Sequence, residues 1–428
     1  MNEDGATDSP DLPSTCGKFG FNRLFRIFLL YLLGILQGIA FVTVPAASNI
    51  LTDPSYQNLS ANEYGSLFLP MFIAAVLFAG FGGTFAKKFG IRALLLPGIA
   101  CNTVAMSLLA ASSAFASYHI ITYIDLLVAL FFLGAGFGAT LTSLNALVAG
   151  EFPSKSATAL TALHATLGIG TAIGPLLLAV SLEAEEWWLS PFVTAVVFTS
   201  VFFVVLLFSD MGAKSVESNL PFSPNGKKRI FPPYLIVFLA ITFLYGICET
   251  VIGNWSPIYL KQVKGLSPAR ANDGLASFWF FVTLGRLSIS ALTNWVSFKW
   301  FHAFLPFFVF IGFLLIPTIH GPSSNILMFG LMGLACSAIL PLNISYGEQT
   351  FPNYREVASG TLMSAYMAGY GIASYGSGSL QALGLLPLKS IFFISAIPAG
   401  LMLLLSFFAN FLFRKEGSPD ISFPKISN

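Results

Sequence analysis

Apolar stretches of helical length recur along the whole chain, each ended by a short loop rich in polar residues, glycine or proline. They lie near residues 24–49, 64–86, 93–115, 119–150, 156–182 and 189–208, then near 234–260, 271–293, 299–319, 324–347, 357–383 and 388–413. An α-helix rises about 1.5 Å per residue and a bilayer's hydrocarbon core is about 30 Å thick, so roughly 20 apolar residues make one crossing. The pattern predicts an all-α membrane protein of twelve transmembrane helices in two six-helix, pseudo-symmetric bundles. A polar segment separates the two sets. The expected plan is a disordered cytoplasmic tail (1–20), an N-terminal bundle (21–208), a cytoplasmic linker (209–233), a C-terminal bundle (234–413) and a second tail (414–428). The first tail has no short apolar core of the kind a signal peptide carries.

Composition supports this and excludes other classes. Of 428 residues 55% are hydrophobic and only 9% charged, against about 25% charged in soluble domains. An enzyme of ordinary soluble composition is ruled out, and a net charge of +2 leaves no basic excess for a nucleic-acid partner. Cys16, Cys101, Cys248 and Cys336 form no CxxC pair, and His119, His164, His302 and His320 fall in separate segments, so neither a metal nor a cofactor is expected. No GxxxxGK[ST] phosphate loop occurs, which argues against direct ATP drive. The expected partners are a small-molecule substrate, protons and the lipid bilayer, with the chain acting as a monomer.

Lys and Arg are retained on the cytoplasmic side during insertion. With the N-terminus inside, every basic residue is cytoplasmic except Lys261, Lys264, Arg270 and Lys389. Both termini are therefore expected in the cytoplasm of a multi-pass protein of the cell or inner membrane. Trp187 and Trp188 on one side, and Trp295 and Trp300 on the other, fit interfacial aromatic belts.

An internal repeat links the halves. GGTFAKKFGIR (Gly82 to Arg92) after span two matches LGRLSISALTNW (Leu284 to Trp295) in span eight, and LNALVAGEFP (Leu144 to Pro153) matches LNISYGEQTFP (Leu342 to Pro352). GIGTAIGP (Gly168 to Pro175) parallels GYGIASYGSG (Gly369 to Gly378). Equivalent spans run in the same direction, as in a parallel repeat about the membrane normal.

With its six-plus-six layout, its basic turn GTFAKKFGIR (Gly83 to Arg92) and GxxxGP in span five (Gly170 to Pro175), the chain resembles the major facilitator superfamily. The turn departs from the family's GxxxDRxGRR pattern, with Lys87 where Asp is usual. Span seven, GICETVIGNWSPIYL (Gly246 to Leu260), and Gly285-Arg286 of span eight resemble the fucose and glucose permease branch. The resemblance implies two bundles rocking about a midplane cavity lined by spans one, four, seven and ten. It also implies gating roles for Gly83, Lys87, Lys88, Arg92 and Arg286.

Glu249 stands out because it lies about 22 Å along an apolar helix, where a carboxyl is expensive unless it faces water, pairs or is protonated. It is the expected coupling-ion site or a direct substrate ligand. Gln37 occupies the matching place in span one, where a fucose-permease relative would carry an acid, and it is open between a substrate hydroxyl and another helix. Trp255 and Trp279 lie away from the interfaces and offer faces to a sugar ring or flat solute, with Asn254 beside them for hydroxyls. A break at Gly253 and Pro257 would be needed for Trp255 and Glu249 to share a cavity. Asn145 and Asn343 suggest a symmetric polar floor, and His164 is a candidate for coupling. Glu151 and Glu348, beside Lys155 and Arg355, suggest cytoplasmic ion pairs between the halves. The functional expectation is a secondary transporter of a sugar-like polar solute, proton-coupled. The alternatives are an exporter of amphipathic compounds or a sensor that has lost transport.

Overall fold

A computed structural model describes residues 16–207, 234–293, 295–351 and 355–412. The expected linker 209–233 and tail 414–428 lie outside the described residues, as do residues 1–15. The first helix already starts at Cys16, so residues 16–20 belong to it rather than to the expected tail.

All elements among the described residues are helical. The first half contains α1 (Cys16–Leu51), α2 (Ala61–Ser66), α3 (Phe68–Phe89), α4 (Ile91–Ala111), α5 (His119–Glu151), α6 (Ser156–Glu183) and α7 (Leu189–Leu207). The second contains α8 (Leu235–Gln262), α9 (Pro268–Leu292), α10 (Phe298–Leu315), α11 (Pro322–Cys336), α12 (Ile339–Thr350), α13 (Arg355–Ala382), α14 (Leu388–Ile394) and α15 (Ala396–Leu412). Three spans are each built of two helices: α2 with α3, α11 with α12, and α14 with α15. Among the described residues eleven segments are long and apolar enough to cross a membrane, and α13, 28 residues long and less apolar, is the twelfth. Large apolar side chains such as Phe81, Ile120, Leu207 and Leu404 are at least two-thirds exposed, an outer surface suited to lipid rather than water.

The three broken spans share a cause. Pro70, Pro341 and Pro398 each stand third in the helix after the break. Proline has no N–H for the carbonyl four residues back and clashes with it, but is tolerated in a helix's first turn. Breaking the span there relieves both problems. The helices containing Pro45, Pro97, Pro175, Pro257 and Pro306 continue through them. In particular α8 is unbroken at Gly253 and Pro257, contrary to the expected interruption.

The halves repeat one packing scheme. In the first, α1 packs on α6, α3 on α5 and α4 on α7; in the second, α8 packs on α13, α9 on α11 and α10 on α15. Between halves, α6 lies against α9, α13 against α2 and α3, and α1 against α8. Within the first half, a Cβ on Gly170 would stand 2.0 Å from the Ile35 carbonyl, and one on Gly134 2.0 Å from that of Met71. Glycine is what allows these backbones to touch.

One end of the interface between halves is sealed. Asn49 donates to the Pro257 carbonyl at 3.0 Å, Tyr64 to the Asn254 carbonyl at 2.8 Å, and Ser379 to Asn62 Oδ1 at 2.8 Å. Lys261 pairs with Asp53 at 2.6 Å. At the end that carries the start of α1 and the end of α15, no hydrogen bond joins the halves among the described residues, and Gly83, Gly150 and Gly360 face open space. The side-chain hydrogen bonds that join the halves are thus gathered at the end away from the termini. Trp295 and Trp300 are exposed as a belt requires, but Trp187 is 4% exposed and belongs to the core, against expectation.

Candidate functional site

Glu249 sits about 21 Å along α8 from Leu235 and is 3% exposed. Its neighbours are phenols. Tyr245, one turn earlier on α8, donates to Oε1 at 2.7 Å, and Tyr366 of α13 donates to Oε2 at 2.5 Å. Tyr245 Oη is also 3.0 Å from the Cys336 carbonyl oxygen. That carbonyl ends α11, where a helix leaves its last carbonyls without internal partners. The next one, on Ser337, is the acceptor Pro341 cannot serve, and Arg286 Nε of α9 fills the vacancy at 3.0 Å. Irregular backbone at membrane depth is thus partnered by two side chains that flank the acid. Arg286, half-buried, is close enough to act electrostatically on both phenols.

Toward the sealed end, four rings from both halves converge. Phe41 of α1 meets Phe137 of α5 at 5.2 Å, Trp279 of α9 at 6.2 Å and Tyr370 of α13 at 6.3 Å between centroids. A narrow pocket bounded by Phe41, Met71, Phe137, Tyr366 and Tyr370 lies among them. Tyr366 therefore touches both this pocket and Glu249. Trp279 is 8% exposed and its indole N–H has no partner.

The other expected residues divide. His164 is exposed in the seam between α6 and α9, near Arg286. Asn145 is half-buried with its Oδ1 unpartnered. Asn343 is fully buried and fully used: it donates to the Phe238 carbonyl at 2.8 Å and to Thr242 at 2.9 Å, and its Oδ1 lies 2.9 Å from His302 Nε2. The two asparagines therefore form no symmetric floor. Gln37 is turned into its own bundle, accepting from Asn102 at 2.8 Å and donating back at 3.3 Å. Both are completely buried, so in this conformation Gln37 ties two helices of its own bundle. Asn254 donates to Ser374 at 2.8 Å and accepts from Tyr370 at 3.1 Å, joining α8 to α13. Trp255 is fully buried edge-on against Tyr64, ring centroids 5.1 Å apart, in the seal between halves. It shares no cavity with Glu249.

The gating set is also redistributed. Glu151 pairs not with Lys155 but with Arg26 at 2.9 Å and Arg23 at 3.5 Å, both on α1 of the same half. Arg92 caps the end of α7, donating to the Leu206 carbonyl at 2.6 Å. Lys88 lies over the Phe89 ring, Lys87 is exposed, and Gly83 has no neighbour within 4 Å. Glu348 is half-buried with no ion pair among the described residues, and the side chain of Arg355 lies outside them. Sequence reasoning missed Tyr366, Tyr370 and Phe41, which carry no distinguishing mark in a chain with 44 phenylalanines and 13 tyrosines. Tyr245 had a signal, four residues from Glu249 on one helix face.

Known proteins place this architecture. A crystal structure of a point mutant of the nucleoside transporter NupG superposes with a TM-score of 0.71 at 14% identity, over 90% of this chain and 99% of that one. A bacterial homologue of the human lysosomal transporter Spinster, in an inward-facing and occupied conformation, superposes with a TM-score of 0.72 at 12% identity, over 92% and 98%. An uncharacterized MFS-type transporter of Yersinia pestis is 25% identical over 295 residues, 68% of this chain and 73% of the relative. The model of the Major Facilitator Superfamily matches residues 27–374, and the chain, a multi-pass helical membrane protein, belongs to that family.

Proposed function

We propose that the protein is a secondary active transporter that moves a small, polar, sugar-like solute by alternating access, with a proton carried on Glu249. The observation that carries this reading is the arrangement of Glu249, Tyr245 and the Cys336 carbonyl, which satisfies the acid in both protonation states. When Glu249 is ionised, Tyr245 and Tyr366 both donate to it. When it is protonated, its own O–H can donate to Tyr245, whose proton then turns to the Cys336 carbonyl. In either state both carboxyl oxygens and both phenols keep a partner and only the Cys336 carbonyl gains or loses its donor. A proton can therefore be loaded without orphaning the acid or the phenols, at about 1–3 kcal/mol for each unsatisfied group. The carbonyl ends α11 at the break in its span, so the protonation state is communicated to a joint in the backbone.

If the basic residues face the cytoplasm as their distribution indicates, the sealed end is outside and the cavity opens inward. The inward-facing state of the Spinster homologue supports the same orientation. The pocket's free space of about 10 Å³ holds no more than a water as it stands, so its aromatic faces could stack on a flat ring only once the halves part. A nucleoside, the solute of NupG, combines such a ring with hydroxyls. Uptake of a labelled panel of sugars and nucleosides into proteoliposomes, with and without an imposed pH gradient, tests the reading. Accumulation driven by inward proton flow supports it. Gradient-driven expulsion would favour an exporter of amphipathic compounds instead, and no flux of any solute would favour a sensor.

A further inference from the structure

His164 on α6 and Arg286 on α9 stand at one level across the seam between the halves. The seam is fixed by Gly168 on α6, where a Cβ would stand 2.2 Å from Thr283 Oγ1 on α9. His164 lies four residues from Gly168 toward the open end, and Arg286 lies three residues from Thr283 in the same direction, because the two helices run antiparallel. At about 1.5 Å per residue they occupy one level, and the two side chains interact electrostatically.

Neither has the partner its chemistry calls for. Arg286 spends its Nε on the Ser337 carbonyl, and among the described residues no carboxylate comes within ion-pair distance of it. Glu249 makes no ion pair with it and is held instead by the two phenols. The terminal guanidinium nitrogens therefore remain as a planar pair of donors, the geometry that grips a carboxylate or phosphate. His164 is exposed beside it with no hydrogen bond among the described residues. A cation at this depth calls for water or an anion to offset its desolvation.

Trp279 gives the other end of a ruler. It precedes Arg286 by seven residues on α9, which brings it to within about 20° of the same face and about 10 Å nearer the sealed end. Its indole N–H is buried and unpartnered, and its ring meets Phe41 across the halves at 6.2 Å.

We propose that the transported solute is an organic anion, with a flat body against Trp279 and Phe41 and a carboxylate or phosphate held by Arg286 with His164. This rests on the transport reading and narrows its substrate class. Each helix contributes from a different half, so the anion would bridge α6 and α9 only while the cavity is in a given state.

The test uses the purified full-length chain and matched probes that share a body and differ by an acid: glucose with glucuronate and glucose 6-phosphate, uridine with uridine 5′-monophosphate, and tryptophol with indole-3-acetate. Inorganic phosphate is the bare-anion control. Thermal stabilisation and tryptophan fluorescence report binding. The expected result is that an acid member binds where its neutral partner and inorganic phosphate do not. Arg286→Gln should weaken that binding by about 10-fold or more, the loss of a charged hydrogen bond. Arg286→Lys should recover part of it, and His164→Ala should weaken it less. In wild-type protein, the bound acid should slow phenylglyoxal modification of Arg286, a readout that needs no variant to fold. Binding by no acid probe, equal binding of neutral partners, or binding unchanged in Arg286→Gln overturns the proposal. Counterflow in proteoliposomes separates the two claims: acid-selective binding without flux would retain the subsite and remove the transporter, whereas flux of neutral solutes alone would do the reverse.

Discussion

Lys261 Nζ lies 2.6 Å from Oδ2 of Asp53, joining the end of α8 to the loop after α1 and so one half of the molecule to the other. The pair is part of the seal and nothing else ties it to the cavity. The Lys261 hydrogen bond holds the Asp53 carboxyl below the usual carboxylate range, against the opposing effect of partial burial. A depressed acid contributes its stabilisation above its unfolded value of about 3.9 and loses it as pH falls through the folded value. The latch is therefore charged throughout pH 5–8, and a pH dependence of transport in that range would have to come from another group. Asp53→Asn should shift the balance between sealed and open states by no more than about 5-fold, the worth of a largely solvated pair. Labelling of a cysteine placed on the sealed face, compared across pH, measures both effects.

Two glycines in the seal should behave differently from a glycine in the core. A Cβ on Gly378 would stand 2.2 Å from the Ala61 carbonyl, and one on Gly65 2.5 Å from that of Ser374. Both contacts cross between halves, so Gly65→Ala and Gly378→Ala should wedge the seal apart and favour the opposite state while leaving each bundle folded. Gly170 meets Ile35 inside one bundle, so Gly170→Ala should lower thermal stability by about 1–3 kcal/mol, the usual penalty of overpacking. Melting temperature and cysteine accessibility, read together, separate the two outcomes. Equal loss of stability in all three variants would count against a mobile seal.

Gln37→Leu should cost stability and spare transport. The substitution strands Asn102, which exchanges two hydrogen bonds with Gln37 and donates a third to Thr140 at 3.3 Å. Polar ties between membrane helices are worth about 0.6–2 kcal/mol, and a loss of that size is expected in thermal melts. KM for any transported solute should stay within about 2-fold, since uniform binding is untouched. A large rise in KM would return Gln37 to the substrate site.

Twelve spans, their repeat and a carboxyl at Glu249 in mid-helix were legible because hydrophobicity and desolvation act locally along a helix. Partnership across the bundle was not. Tyr366 is separated from Glu249 by 117 residues, and only the meeting of α8 with α13 makes it a ligand. Gln37 and Asn343 look alike in sequence, as lone amides in apolar spans, and which way each faces is decided by rotation of its helix against neighbours. Pro257 suggested a break and Pro341 passed unmarked, yet the break is at Pro341; the difference is position. Pro341 falls in the first turn of a new helix, where the missing N–H is harmless, and α8 simply continues through Pro257.

Glu249→Gln should be nearly as stable as the parent and uncoupled from pH. A glutamine amide imitates the protonated acid: its N–H can donate to Tyr245, which passes its own proton to the Cys336 carbonyl, while its oxygen accepts from Tyr366. Every group found around Glu249 keeps a partner. Glu249→Leu leaves Tyr245 its bond to the Cys336 carbonyl but strands Tyr366, and should lose about 1–3 kcal/mol. Exchange of solute across the membrane should persist in Glu249→Gln, because rocking needs no proton once the site is neutral. Accumulation against a gradient should vanish. Tyr245→Phe should lower stability by about 1–3 kcal/mol, and in the Glu249→Gln background the two effects should be non-additive by at least about 0.5 kcal/mol, as for groups in one network. If pH-driven accumulation survives in Glu249→Gln, the proton travels by another route and the phenol switch is only a structural tie.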